Sequence, residues 1–114
     1  MSMSIAFAEE AVRIHDEAHL SDAVIGEAVG AAPSTVRDWL NGRSTPTGVR
    51  ARRLADLGAI TDRLARVISA EYIAVWLVKP IEALDDRRPI ELIARGQARS
   101  VARVISGLES PGAS

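Results

Sequence analysis

Apolar residues recur at spacings of three and four through nearly the whole chain, and no stretch holds the alternating pattern of a half-buried strand. The pattern predicts an all-α protein of six or seven helices. The first covers about residues 4 to 18, with Ile5, Ala8, Val12 and Ile14 inward. Ser21 or Asp22 caps the second, which ends at Gly30; Ser34 caps the third, which ends near Asn41 and Gly42. After the loop "GRSTPTG" a long helix runs from about Val49 to Ile68, with Leu54, Leu57, Thr61, Leu64 and Ile68 forming a coiled-coil-like seam. Gly58 inside it costs about 1 kcal/mol relative to alanine and predicts a break or kink. Ser69 caps a helix over 70 to 78, and Pro80 starts a short helical turn reaching Leu84. Gln97 to Leu108 closes the chain as an amphipathic helix, with Ala98, Val101, Val104, Ile105 and Leu108 on one face.

Between these last elements lies "RRPIELIARG", Arg87 to Gly96. Proline suits a first helical position, where its missing N–H would have no partner anyway, and glycine suits the left-handed residue past a helix end. The stretch therefore reads as a helix of about two turns between breakers. The tail "ESPGAS" cannot extend the last helix past Pro111.

Composition narrows the picture. A chain of 114 residues, 47% apolar, Ala-rich and only 4% aromatic fits one domain, or two very small ones sharing a core, of closely packed helices. We divide it at residue 68, with 1–68 as an N-terminal domain and 69–114 as a C-terminal one ending in a short flexible tail. The absence of cysteine removes disulfides and thiolate metal sites, and no signal-peptide pattern opens the chain, so a cytoplasmic protein is expected. The apolar run "YIAVWLV" at 72 to 78 ends at Lys79 and Pro80, far short of the roughly 20 residues that cross a bilayer, and no membrane partner is expected. Trp76 at its centre reads as core, with an interface anchor as the alternative; Trp39 reads as core. Net charge is -1 but uneven: residues 1 to 33 carry -5, residues 34 to 70 carry +4, and the rest balances. The cationic middle fits either an anionic partner or a solvated helix face.

The sharpest local signal is "LSDAVIGEAVGAAPSTVRDWLNG", Leu20 to Gly42, two short helices about a glycine turn. Gly26 supplies a small residue at the crossing, Gly30 permits the reversal, and Ile25, Val36 and Leu40 supply the shared core. This spacing resembles the phage-repressor-like Xre class of helix-turn-helix proteins. The resemblance implies that the third helix enters the DNA major groove, with Pro33, Ser34, Arg37 and Asp38 nearest the bases and Thr35, Asn41 and Arg43 nearer phosphate. Arg37 has the planar fork that binds guanine O6 and N7 together. Asp22 and Pro33 stand where many members of the class carry glutamine, and they weaken DNA readout, because a carboxylate repels phosphate and proline has no side-chain donor.

The C-terminal grammar is as specific: "AVWLVKPIEALDDRRPIELIARG", then "VARVISGLE". Trp-Leu, a proline four residues after Trp76, an Arg-Pro helix start, a short helix, glycine and a final amphipathic helix resemble the toxin-binding domain of the MbcA/ParS/Xre antitoxin family. With the Xre-like half, the resemblance spans roughly residues 20 to 108. Thirteen arginines against one lysine also suit a GC-rich genome. The family usually has Gly-Gly before the Arg-Pro start; here Asp85 and Asp86 stand there, which predicts a capped helix end in place of a glycine-type loop.

The resemblance implies a non-catalytic protein whose partner is an enzyme, a RES-domain toxin that destroys NAD and whose cleft the antitoxin covers. Residues expected at that contact are Arg87, Arg88, Arg99, Arg103, Glu109, Ser110, Pro111, Gly112, Ala113 and Ser114. Self-association into a homodimer or higher symmetric complex is expected from the seam on the long helix and from the family. An enzyme reading has only His15 and His19 at i, i+4 with Asp16 and Asp22 nearby, and it lacks a third convincing ligand. No metal or cofactor is expected. The competing reading is a free-standing repressor whose C-terminal half only dimerises.

Overall fold

The computed structural model describes residues 3–110, with side chains described from residue 9 onward. Seven α-helices and one 3₁₀ turn make up the described chain. They are α1 (Met3–Glu17), α2 (Asp22–Val29), α3 (Pro33–Leu40), α4 (Gly48–Leu64), α5 (Ala70–Val78), the 3₁₀ turn (Glu82–Leu84), α6 (Pro89–Ala94) and α7 (Ala98–Glu109).

One apolar cluster runs through the molecule. Ile14, Ile25, Val36, Leu54 and Leu57 join Ile73, Leu77, Ile90, Ile93, Val101 and Ile105 without a gap between the N-terminal and C-terminal helices. The α4 seam explains this continuity. Leu54, Leu57, Thr61 and Leu64 are buried within the chain's own core, so the seam is filled by α1, α2 and α7 and is not left open for a coiled-coil partner. Thr61, the one polar seam position, satisfies its hydroxyl on the Gly58 carbonyl at 3.0 Å. The helix does not break at Gly58 but continues through it as one element. The Glu10 carboxylate of α1 occupies the space beside that glycine, so a Cβ at 58 would force the Glu10 side chain to another rotamer.

Several local expectations are corrected. On α1 the buried positions are Ala11 and Ile14, continued by Ala18 just past its end, and Val12 is exposed; Ile5 and Ala8 lie outside the described side chains. Ser21 caps α2, its hydroxyl accepting from the Val24 N–H at 3.2 Å. Ser34 is not a cap: Pro33 takes the first helical position of α3, and Ala32 precedes it in extended conformation. The long helix stops at Leu64, and the remaining residues to Ile68 form turns. Pro80 starts no helix, because the chain stays extended to Ile81, whose N–H donates to the Arg87 carbonyl at 3.1 Å. Leu108 is exposed, since α7 has run past the core by then.

The turn before Arg87 is also corrected. Asp85 and Asp86 both adopt left-handed φ, 58° and 59°, and the Leu84 carbonyl accepts from the Arg87 N–H at 3.2 Å. This is the hydrogen bond and left-handed pair of a type I′ turn, closed by the antiparallel bridge between Ile81 and Arg87. The aspartates thus keep the glycine-type path, as short polar side chains tolerate left-handed backbone better than most.

Candidate functional site

The α2–α3 unit is built around Gly26. The Gly30 and Ala31 N–H groups both donate to the Gly26 carbonyl, at 2.8 and 2.9 Å, and Gly30 is left-handed at φ 78°. A Cβ on Gly26 would run into the Ala31 carbonyl, so no larger residue fits the joint without backbone movement. Arg50 on α4 closes the end of α2 by donating from Nε to the Gly30 carbonyl at 3.2 Å. Ile25, Val36 and Trp39 are buried beneath the unit, and Leu40 is half-buried against them.

Its outer surface carries Ser34, Arg37, Asn41 and Arg43 exposed, with Thr35 half-buried. Arg37 does not stand alone. Its Nε donates to the Asp22 carboxylate at 3.1 Å, which fixes one edge of the guanidinium across the α2–α3 joint. Arg43 lies 3.5 Å from Asp38. The Asp22 carboxylate of α2 therefore orients the Arg37 guanidinium of α3.

Of the C-terminal residues, Arg87, Arg99 and Arg103 are exposed. Arg103 lines an open groove of about 330 Å³ with Ala83, Leu84, Ser100 and Val104. Arg99 lines another, of about 230 Å³, between α4 and α7. Arg88 is engaged inside the molecule, donating to Glu91 at 2.7 Å and to Glu27 of α2 at 2.6 Å, so it straps the two halves together. The Arg88 hydrogen bond holds the Glu91 carboxyl below its ordinary range. Glu109 is also engaged: Arg63 of α4 donates to it from Nε at 3.2 Å and to the Ser106 hydroxyl at 3.0 Å, and the pairing lowers the Glu109 carboxyl. Ser110 is exposed, while Pro111, Gly112, Ala113 and Ser114 lie outside the described residues.

Sequence reasoning missed Arg63, Glu27 and Asp22 as the partners of these groups. Only the Arg88–Glu91 pair, at i, i+3, had a local signal. It also missed Arg53, whose guanidinium packs against the left-handed Gly96 where a Cβ would come within 2.7 Å of it. His15 is drawn to Asp16 and Asp22, at 3.1 and 3.7 Å, and the described residues hold no group of three or more histidine, cysteine or carboxylate side chains arranged to take a metal. No described helix is long and apolar enough to cross a membrane.

No protein-family profile matches the chain. The mycobacterial cidal antitoxin MbcA of Mycobacterium tuberculosis, and that of Mycobacterium bovis, are 30% identical to it over 84 residues, 74% of this chain and 74% of theirs. The chain belongs to the MbcA antitoxin family. The antitoxin fold is matched by the crystal structure of the M. tuberculosis MbcT–MbcA toxin–antitoxin complex, with TM-score 0.82 and 26% identity over 92% of this chain and 95% of that one. In this antitoxin the fold therefore extends through both the α2–α3 unit and the C-terminal turn-and-helix unit.

Proposed function

We propose that this antitoxin binds and neutralises a cognate RES-domain toxin, covering its NAD-degrading cleft with residues 69–114, and that residues 1–68 act as an Xre-like helix-turn-helix domain able to bind operator DNA. The observation that carries the reading is the match over 92% of the chain to a structure of a toxin–antitoxin complex. The C-terminal surface supports it. Arg87, Arg99 and Arg103 are exposed cations on preorganised short elements, which lose little entropy on association. Arg88 acts indirectly here, by holding α6 to α2.

The tail from Glu109 to Ser114 is the inhibitory plug in this reading. A cleft shaped for the phosphates of NAD is cationic, and the small residues and hydroxyls of this stretch suit a narrow entrance where hydrogen bonds to arginine are the strong, charge-assisted kind. The Arg63–Glu109 pair anchors the root of the tail on α4. On the DNA side, Arg37 reads a base with Ser34 beside it, while Thr35, Asn41 and Arg43 lie along phosphate. The protein works as a homodimer or larger symmetric assembly.

Co-expression with the product of the adjacent gene tests the central claim. A stable complex that stops NAD loss is expected, and a chain ending at Leu108 should inhibit less than the full chain. Failure to co-purify leaves the free-standing repressor reading. Arg37→Ala should then decide DNA readout, with a loss on the order of 1 to 3 kcal/mol confined to one base pair, whereas Arg43→Ala should weaken all sequences alike.

A further inference from the structure

The described chain leaves one continuous apolar face uncovered, and it lies on α5. Ile73 and Leu77 bury one side of this helix in the core, while Tyr72 and Val75 remain 58% and 57% exposed and Val78 37% exposed. Scattered exposed apolar residues are ordinary on a protein surface, but these three share one face. At about 100° per residue, positions 71, 72, 75, 78 and 79 all lie within about 60° of Val75. The face therefore carries three apolar groups bracketed by Glu71 at one end and Lys79 at the other. Both charged residues are exposed, and no ion pair among the described residues uses either one.

This arrangement is complementary to itself. A two-fold axis through Val75, with two α5 helices antiparallel, sets Val75 on Val75 and brings Tyr72 to the level of the partner's Val78 and Glu71 to the level of the partner's Lys79 across the seam, each of the last two pairs occurring twice. Isologous interfaces require such a patch, in which every residue meets its complement under the two-fold. Lys79 is the single lysine of the chain, and it stands at the one position that this symmetry places opposite Glu71. We propose that α5 is the surface through which two copies of this chain associate. The inference rests on the self-association in the functional reading above and supplies its surface. It replaces the α4 seam, which the chain's own core occupies.

Sedimentation of the full chain, alone and over a concentration series, is the test. A reversible dimer is expected, and Val75→Glu should weaken it by at least about tenfold, because two carboxylates would be buried against each other at the axis. Glu71→Lys and Lys79→Glu should each weaken the dimer, since each sets like charges together twice. An equal mixture of these two variants, or the double variant, should restore it. All the substituted side chains are exposed, so circular-dichroism melting serves to check that each variant stays folded. A folded Val75→Glu dimer as tight as the parent overturns the α5 surface while leaving self-association standing. A chain that is monomeric at every concentration overturns both. Loss of toxin binding by Val75→Glu in such a monomer would assign the face to the toxin and reject the proposal.

Discussion

Two joints in this molecule use the same punctuation and differ in what stands behind it. At the α2–α3 joint, Gly30 is left-handed at φ 78°; at the α6–α7 joint, Gly96 is left-handed at φ 79°. Each ends its helix with backbone N–H groups returned to the preceding turn: Gly30 and Ala31 to the Gly26 carbonyl, Gly96 to Ile93 and Gln97 to Leu92. The neighbours are unlike. The first joint is closed backbone to backbone, with the Ala31 carbonyl against Gly26, whereas the second rests on the far end of the flexible Arg53 side chain. A glycine pressed by backbone cannot be replaced without moving a helix; one pressed by a guanidinium needs only a rotamer change. The first joint is thus fixed by backbone contact and the second by side chains.

The comparison can be broken at the C-terminal joint by removing its root. Leu92 is 4% exposed, and Leu92→Ala should cost about 2 to 5 kcal/mol in denaturant unfolding. An unchanged midpoint would mean that this face is not core. Gly26→Ala sharpens the contrast: its collision with backbone should cost about 1 to 3 kcal/mol, at the upper end if α2 and α3 have to separate. Gly96→Ala should cost about 1 to 2 kcal/mol, from the left-handed backbone alone, as Arg53 gives way. If the alanine variants at 26 and 96 melt together, the hardness of the neighbour does not decide tolerance.

Smaller effects should come from the straps. Arg88 is one-third exposed, so Arg88→Gln should cost about 0.2 to 1 kcal/mol, and less in high salt. Acid should act in the same direction. Glu91 and Glu109 are held by Arg88 and Arg63 below the ordinary carboxyl value of 4.5. A carboxyl lowered on folding contributes stability that is present above its unfolded value and lost as the pH falls through the folded one. Melting temperature should therefore decline below pH 4.5, and the decline should be shallower in Arg88→Gln combined with Arg63→Gln. An identical acid profile in that variant would show that other groups carry it.

Much of the fold was legible because it is written locally. Pro89, Gly30 and Gly96 fix where short helices begin and end, and Ser21 caps α2, all through interactions within a few residues, whereas the cap expected at Ser34 passes over Pro33 as the start of α3. The site was less legible. Arg37, Arg88 and Glu109 were identified as chemistry-bearing groups, yet their partners Asp22, Glu27 and Arg63 lie 15, 61 and 46 residues away. Periodicity also overreached where one face had two possible uses. It put Val12 and Leu108 inward, and it read the α4 seam as open to another chain, because an apolar stripe does not say which surface covers it.

By itself, the sequence determined the all-α class, the breaker-bounded helices, the glycine at the α2–α3 crossing and the resemblance to an antitoxin family, since helical period and turn chemistry act over a handful of residues. Tertiary structure alone decided which charges are engaged, with Arg88 a strap and Glu109 held on α4, and which apolar face stays uncovered, the one on α5. It also decided that Asp85 and Asp86 follow a glycine-like path, because the bridge from Ile81 to Arg87 closes the turn around them. The physical reason is common to all three. Local preferences are set by a residue's own backbone and its near neighbours, whereas ion pairing and burial depend on which distant surfaces the packed core brings together.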